Sequence, residues 1–176
     1  MRFKIDLPIK DSVLKDLHLG DVVHLDGLII TARDQAHKRI IEYSQKGKLP
    51  NSLKGLDGTA IYHCGPIVKE CEGYYEIISG GPTTSQRMDS LENEVVDIVK
   101  VKFIIGKGGM RNLDTQNYRV VYLSLTGGCG AIINEKVKEV LDVEWKDLGL
   151  CEAVWFLKVE KLGPLIVSQI NGKSLY

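Results

Sequence analysis

The chain has 176 residues, which is long enough to bury a hydrophobic core without disulfides or metal ions. Its formal net charge is zero at pH 7, so it lacks the basic excess that nucleic-acid-binding proteins show. No apolar run approaches the length of a membrane span, and the charged start of the chain does not resemble a secretory signal. We therefore expect a single cytoplasmic domain over residues 1–176.

Four cysteines are present, and no two of them form a C-x-x-C pair. A zinc or iron–sulfur site built by this chain alone is therefore not expected, and in the cytoplasm the thiols should be reduced. Cys129 differs from the others because it lies in a glycine-rich turn, but this pattern does not favour a catalytic role. The cysteines are Cys64, Cys71, Cys129 and Cys151.

The first third of the chain predicts two strands and a helix. Residues 3–9 alternate between apolar and polar and predict a strand, and residues 21–30 predict a second strand with a glycine break. Thr31 and Asp34 resemble a capping box, although the box calls for Glu or Gln at the later position. A helix should follow as far as Tyr43, with Ala36 and Ile40 on its apolar side.

The middle of the chain contains the most informative segment. Strands are predicted at 59–64 and 74–79, and a helix at 87–99. Residues 80–86, with the sequence GGPTTSQ, stand between the second strand and this helix. Unpaired N–H groups at a helix start carry partial positive charge, so this segment and Arg87 form a candidate site for a carboxylate or phosphate. The alternative is an ordinary N-cap by Thr83 or Thr84.

The last third continues the alternation of strands and helices. Strands are predicted at 101–105, 120–125, 153–159 and 165–170, and Asn171-Gly172 predicts a turn. Helices are predicted at 110–117 and from about 130 to 140. This order of elements indicates an α/β protein.

Four predicted strands run into a glycine-, threonine- or arginine-bearing turn and then a helix, with the turns at Thr31, Gly80, Gly106 and Thr126. Ligands of open α/β sheets bind at the carboxyl ends of strands. If the four turns share one edge, three cations and two hydroxyls converge there, which suits a small dicarboxylate. The residues are Arg33, Thr83, Arg87, Lys107 and Thr126.

Each of these residues also has a structural interpretation. Arg33 and His37 lie four apart on one helix face, so they form either an anion site with a proton carrier or a solvated arginine beside a packed histidine. Lys107 lies between glycines and is either an exposed loop residue or a ligand contact. Residues 106–109 lack the P-loop spacing, and residues 127–130 lack the dinucleotide-binding fingerprint.

Three segments together resemble the β subunit of class I, iron–sulfur fumarate hydratases and of the related L(+)-tartrate dehydratases. They are residues 31–39 (TARDQAHKR), 81–88 (GPTTSQRM) and 104–110 (IIGKGGM). Residues 62–66 (YHCGP) and 152–155 (EAVW) extend the resemblance over nearly the whole chain. The combination is far more specific than any one motif, and it favours the anion site.

The resemblance implies a fold, a partner and a reaction. The fold would be the swivelling β/β/α domain, with a mixed sheet and flanking helices. An α subunit would hold a [4Fe-4S] cluster through three cysteines, in an α2β2 assembly, while this chain binds no metal or cofactor. The assembly would interconvert (S)-malate and fumarate, a step of the tricarboxylic acid cycle, and this chain alone would be inactive.

The resemblance also implies roles for individual residues. Arg33 and Arg87 would bind the substrate carboxylates with the help of Lys107, and His37 would lie near them as a substrate-binding residue. Thr83 matches the position of the catalytic base, and Arg87 would assist it. Cys64 and residues 129–130 depart from the pattern of the family. Two alternatives stay open, an L(+)-tartrate dehydratase β subunit and a non-catalytic dicarboxylate-binding module.

Overall fold

A mixed β-sheet that closes on itself forms the centre of the molecule. The computed structural model describes residues 1–176. The strands are β1 (Arg2–Asp6), β2 (Val22–Thr31), β3 (Ala60–Tyr62), β4 (Ile67–Cys71), β5 (Tyr74–Ser79), β6 (Phe103–Gly106), β7 (Val121–Ser124), β8 (Val137–Glu144), β9 (Val154–Ile170) and β10 (Lys173–Ser174). The helices are α1 (Asp11–Leu14), α2 (Asp34–Gln45), α3 (Asn51–Lys54), α4 (Glu92–Val99) and α5 (Gly130–Lys136), with 3₁₀ turns at Ser85–Met88 and Lys146–Leu148.

The closure depends on the long strand β9. Strands β2, β3, β6 and β7 are parallel neighbours in that order. Strand β9 pairs antiparallel with β7 near its end and with β2 along most of its length, so the path returns to its start. Strand β1 adds to β2, and β8 and β10 add to β9. Strands β4 and β5 form a separate hairpin.

Both faces of the closed sheet are buried, and consecutive residues point to opposite faces. Ile30, Ile61 and Ile104 belong to an outer cluster with the apolar sides of α2 and α4. Their neighbours Ile29 and Ile105 belong to the second cluster, which fills the inside together with residues of β9. This two-sided burial explains why the parallel strands are short, continuously apolar runs.

The predicted α/β class is confirmed as a mixed sheet with flanking helices. The closed path of five strands was not predicted, because closure depends on strand pairing at long range. The swivelling β/β/α description and the single-domain boundary stay predictions. The strands predicted at 153–159 and 165–170 are one continuous element, β9, and the turn at Asn171-Gly172 is confirmed by left-handed φ angles of 50° and 73°.

One helix prediction was wrong, and two predicted helices have other bounds. The segment predicted as one helix at 87–99 is divided in the structure. A four-residue 3₁₀ turn covers Ser85–Met88, and α4 begins only at Glu92. Neither Thr83 nor Thr84 caps a helix with its side chain, so the argument from a helix start at this segment fails. No helix covers residues 110–117, where the Asp114 carboxylate accepts the backbone N–H groups of Gln116 and Asn117. The helix predicted to 140 ends at Lys136, because β8 pairs with β9 from Val137.

The capping box at Thr31 was also wrong. The Thr31 hydroxyl accepts the backbone N–H of Trp155 at 3.1 Å instead of capping α2. Helix α2 starts at Asp34, with Arg33 in the N-cap position and no side-chain cap. The hydroxyl therefore joins β2 to β9, and Arg33 stands at the junction of strand and helix. None of the helices is both long enough and apolar enough to cross a lipid bilayer.

Replacing Gly27 tests how closely the segment that follows β1 packs against β2. Gly27 has φ 110° at an irregularity in the pairing of β2 with β9, and a Cβ atom there would lie 2.6 Å from the Leu7 carbonyl oxygen. We expect Gly27→Ala to lower the free energy of unfolding by about 2 kcal/mol or more in urea denaturation. The control is Gly47→Ala, which has φ 65° and no atom within 4 Å, and should cost only about 1 kcal/mol. Equal losses would contradict the steric explanation.

Candidate active site

The carboxyl ends of the four parallel strands meet at one edge of the sheet. Thr31 is aligned with Tyr62, Tyr62 with Ile105, and Ile105 with Leu123. The residues that follow these positions therefore leave the sheet side by side. They begin the turns that carry Arg33, His63, Lys107 and Thr126.

The loop at residues 80–86 reaches the same edge by another route. It follows β5, which belongs to the separate hairpin and not to the closed sheet. The Tyr62 hydroxyl donates to the Gly80 carbonyl at 2.5 Å. The Thr83 N–H then donates to the His63 carbonyl at 2.7 Å, and the Ser85 N–H donates to the Lys107 carbonyl at 3.1 Å. The loop thus lies across the ends of β3 and β6.

Arg33 is oriented by a carboxylate and a glycine. Its Nε lies 3.3 Å from Glu152 Oε1, and its side chain is 21% exposed. A Cβ atom at Gly65 would overlap Arg33 Nη1, so the guanidinium occupies space that only glycine leaves free. The conformation of Arg33 therefore depends on two residues that are distant in sequence.

Arg87 pairs with Asp34, the residue that follows Arg33. Its Nε donates to Oδ1 at 3.3 Å, and its Nη2 lies 2.5 Å from Oδ2. The Arg87 side chain is 48% exposed. A guanidinium has five N–H donors, so this pairing leaves donors free for a second carboxylate. The ion pair also brings Arg87 next to the start of α2, where Arg33 lies.

Lys107 and Thr83 have no side-chain partner within the chain. Lys107 makes no ion pair, and its backbone bridges to Thr84. The Thr83 side chain is half-buried and makes no hydrogen bond, while its N–H is bonded to the His63 carbonyl. Thr126 is exposed, and its carbonyl accepts the Cys129 thiol at 2.8 Å. These groups are therefore available to bind a ligand or a partner.

A buried network of ionisable residues lies beneath this edge. Glu92, at the start of α4, accepts hydrogen bonds from His37 Nε2 at 3.0 Å and from His63 Nε2 at 2.8 Å, both at Oε2. None of the three side chains is exposed. His37 Nδ1 also lies 2.8 Å from the Arg33 carbonyl oxygen. His37 was predicted to bind substrate, but both of its ring nitrogens are engaged below the surface.

The hydrogen-bond partners assign a charge to His37. A carbonyl oxygen and an ionised carboxylate can only accept, so His37 must donate from both ring nitrogens and is an imidazolium. Burial by itself lowers the pKa of His37, but the charge and hydrogen bond of Glu92 outweigh it and raise the pKa. Burial by itself raises the pKa of Glu92, but the charges of His63 and His37 reverse the effect and lower it.

The network continues from His63 to β7. The Ser85 hydroxyl lies 2.8 Å from His63 Nδ1 and 2.8 Å from the Tyr122 hydroxyl, so it joins the ring to the tyrosine. A Cβ atom at Gly106 would overlap the Ser85 hydroxyl. Glycine at this position therefore makes room for the connection between the loop and the sheet.

Two sets of residues could be considered for binding a metal or cluster. His37, His63 and Glu92 are residue types that bind divalent metals. Here the ring N–H groups of the two histidines donate to the Glu92 carboxylate, so the three residues form a hydrogen-bonded ion pair. The cysteines form no group of three. Burial raises the pKa of the Cys64 thiol to about 12, which keeps it neutral.

Sequence reasoning missed most of the residues that orient the site. Asp34 and Glu152 were visible in the motifs but had no assigned role as partners of the arginines. Glu92, Ser85 and Tyr122 gave no signal, because each is ordinary in its own segment. The one available hint was a histidine in the YHCGP motif directly after a buried strand.

Comparison with known proteins identifies the family. The model of the family described as "Fumarase C-terminus" matches residues 1–176. The chain is 39% identical to the L(+)-tartrate dehydratase subunit beta of Escherichia coli K12, covering 99% of this chain and 87% of that protein. It is 45% identical to the putative L(+)-tartrate dehydratase subunit beta of Methanocaldococcus jannaschii, covering 93% and 85%.

A third relative is a putative class I fumarate hydratase of Geobacillus stearothermophilus. It is 30% identical over 98% of this chain, which corresponds to 33% of that longer protein. The chain therefore belongs to the Fumarase C-terminus family, which comprises the β subunits, or corresponding domains, of class I fumarases and tartrate dehydratases. The resemblance inferred from the motifs is confirmed.

The charge on His37 makes a testable contribution to stability. Because its folded-state pKa is raised, the pair with Glu92 stabilises the fold fully below the unfolded pKa of about 6.5, and this contribution is lost as pH rises through the folded pKa. In Glu92→Gln, burial alone lowers the pKa of His37, so stability should instead rise with pH up to about 6.5.

We expect the free energy of unfolding of the wild type to exceed that of Glu92→Gln by about 3–5 kcal/mol near pH 6, and by less at pH 8. Urea denaturation between pH 5.5 and 8.5 measures the difference. The matched control is Glu94→Gln, which makes the same chemical change on the exposed side of α4. A gap between wild type and Glu92→Gln that widens with rising pH would contradict the ion pair.

Proposed function

We propose that this chain is the β subunit of a hydro-lyase that dehydrates a four-carbon hydroxydicarboxylate, with (S)-malate and fumarate as the first candidate pair. It would contribute carboxylate-binding residues and the base to a site completed by an α subunit. The observation that most supports this proposal is the cationic edge formed by Arg33, Arg87 and Lys107, next to a threonine whose hydroxyl has no partner in the chain.

Two guanidiniums suit the two carboxylates of such a substrate. Arg87 retains free donors beyond those that Asp34 uses, and Arg33 is fixed by Glu152 and the space at Gly65. Bidentate pairing of arginine with carboxylate determines the orientation of the substrate as well as its affinity. Orientation matters because the proton and the hydroxyl leave from neighbouring carbons in a defined geometry.

Thr83 is our candidate for the base that removes the carbon-bound proton. A threonine hydroxyl is a very weak base, so it needs an anionic partner to accept its own proton and nearby cations to stabilise the alkoxide. Arg87 and Lys107 supply the positive charge in this assignment. As the proton leaves, negative charge develops on the adjacent substrate carboxylate, and the same cations stabilise it there.

Loss of the hydroxyl group requires an acid at the departing oxygen. We assign that half of the reaction to an α partner carrying a [4Fe-4S] cluster, in an α2β2 assembly in the cytoplasm. The "subunit beta" names of the relatives support a partner. His37 in this scheme is a positioning residue and not a substrate contact, because both of its nitrogens are engaged.

L(+)-tartrate is the second candidate substrate, and it is favoured by the names of the relatives at 39% and 45% identity. Tartrate carries one more hydroxyl than malate. The motifs do not separate the two substrates, since both present two carboxylates at similar spacing.

Co-expression with a candidate α subunit and anaerobic assays on malate, fumarate and tartrate would test the function. The proposal expects turnover of at least one substrate by the complex and none by this chain alone. Dicarboxylate binding without turnover by the assembled complex would instead favour the non-catalytic module. Turnover by this chain alone would overturn the assignment of the acid to the partner.

Substitution of Arg87 tests whether its guanidinium binds a substrate carboxylate in a bidentate way. Lysine retains the charge but cannot form the planar bidentate pairs that a guanidinium makes with Asp34 and with a substrate carboxylate, so Arg87→Lys should lower kcat/KM of the complex by about 100-fold or more. The matched control is Arg39→Lys, which alters another arginine–aspartate pair further along α2, in which Arg39 Nη1 donates to both carboxylate oxygens of Asp147. That control should stay within about threefold of the wild type. Near-normal activity of Arg87→Lys would reject the assignment.

A further inference from the structure

We propose that Glu92 is a positioning residue that orients the substrate-binding edge from beneath, by binding His37 and His63 through a single carboxylate oxygen. The link to substrate rests on the proposed function. The link to the conformation of the loop at residues 80–86 stands on the structure alone.

One connection runs from Glu92 to Arg33. His37 Nε2 donates to Glu92, and His37 Nδ1 donates to the Arg33 carbonyl oxygen at 2.8 Å. The acceptor is the last residue before α2, and it also accepts the His37 backbone N–H at 2.9 Å, so the ring adds a second tether at the start of the helix. It therefore influences the orientation of Arg33 and of Asp34, which pairs with Arg87.

The other connection runs from Glu92 to the loop. His63 Nε2 donates to Glu92, His63 Nδ1 bonds the Ser85 hydroxyl, and the His63 carbonyl accepts the Thr83 N–H. The Ser85 N–H in turn donates to the Lys107 carbonyl. A single histidine thus holds both sides of Thr84, and the loop is joined to the turn that carries Lys107.

The two connections share one buried charge. Both end on Glu92 Oε2, while Oε1 makes no hydrogen bond. A displacement of Oε2 would therefore act on both histidines together. Since no proposed substrate-binding side chain contacts Glu92, its effect on substrate must pass through the histidines.

Glu92→Gln is the informative variant because it keeps the shape and removes the charge. The amide oxygen can still accept hydrogen bonds, but no anion remains to stabilise an imidazolium at His37. Neutral His37 has one ring proton, so it cannot donate to both residue 92 and the Arg33 carbonyl. We expect the loop and the start of α2 to loosen while the sheet stays folded.

The first measurement uses the full chain alone. Nitrogen NMR of the histidine rings should show His37 protonated on both nitrogens in the wild type at neutral pH. Amide hydrogen exchange at Thr83 and Ser85 should be accelerated in Glu92→Gln by a factor about tenfold or more larger than the factor at Ile105 and Leu123, where exchange follows global unfolding. Glu94→Gln should match the wild type at all four amides.

Three outcomes would overturn the positioning role. They are a singly protonated His37, unchanged exchange in the loop, or faster exchange by the same factor in the loop and the sheet, which would indicate general destabilisation. If Glu92→Gln does not fold, Ser85→Ala removes the loop connection alone. It should accelerate exchange at Thr83 while leaving the His37 ring signal unchanged, and unchanged exchange there would count against the proposal.

The second measurement uses the complex with the α subunit. We expect Glu92→Gln to raise KM for the substrate by about tenfold and to lower kcat by less than that, because the cations are displaced but still present. Unchanged kinetics per folded complex would overturn the link to substrate. If the wild-type complex turns over none of the three substrates, the proposed function fails, and the exchange experiment still decides whether Glu92 orders the loop.

Discussion

A carboxylate with no exposed surface must be neutralised where it lies, and Glu92 meets this requirement with two histidines on one oxygen. An unpaired charge at this depth would cost several kcal/mol, so the three side chains must come together whenever the chain folds. They belong to α2, to the end of β3 and to α4. The ion pair therefore couples the docking of both helices onto the closed sheet with the position of the edge that carries Arg33.

The edge above the ion pair combines fixed and free cations. Arg33 and Arg87 each have an acidic partner within the chain, whereas Lys107 has none. The acidic partners limit the motion of the guanidiniums before a ligand arrives, which reduces the entropy lost on binding. The glycines at positions 65 and 106 serve the same purpose, since a side chain at either position would displace Arg33 or Ser85.

The sequence predicted the elements and motifs that show in a local pattern of residue types. It failed for the elements whose position depends on pairing between strands distant in sequence. The apolar runs of β2, β6 and β7 and the apolar side of α2 were predictable from periodicity, and the motifs around Arg33, Thr83, Arg87 and Lys107 identified the family. The break between Met88 and Glu92 was not predictable, because it depends on the loop crossing the ends of β3 and β6. Strand β8 was missed for the same reason, since its partner β9 supplies the pairing.

The most consequential residue for the site was also the least visible one. Glu92 is separated by 55 residues from His37 and by 29 from His63, and a glutamate at the start of a helix is usually explained by the helix dipole. Only the coordinates show that it points inward. Residues that contact a ligand are recognisable by their type, whereas residues that position them are recognisable only by their partners. A family motif therefore identifies the candidate binding edge of this chain but not the buried charge that lies beneath it.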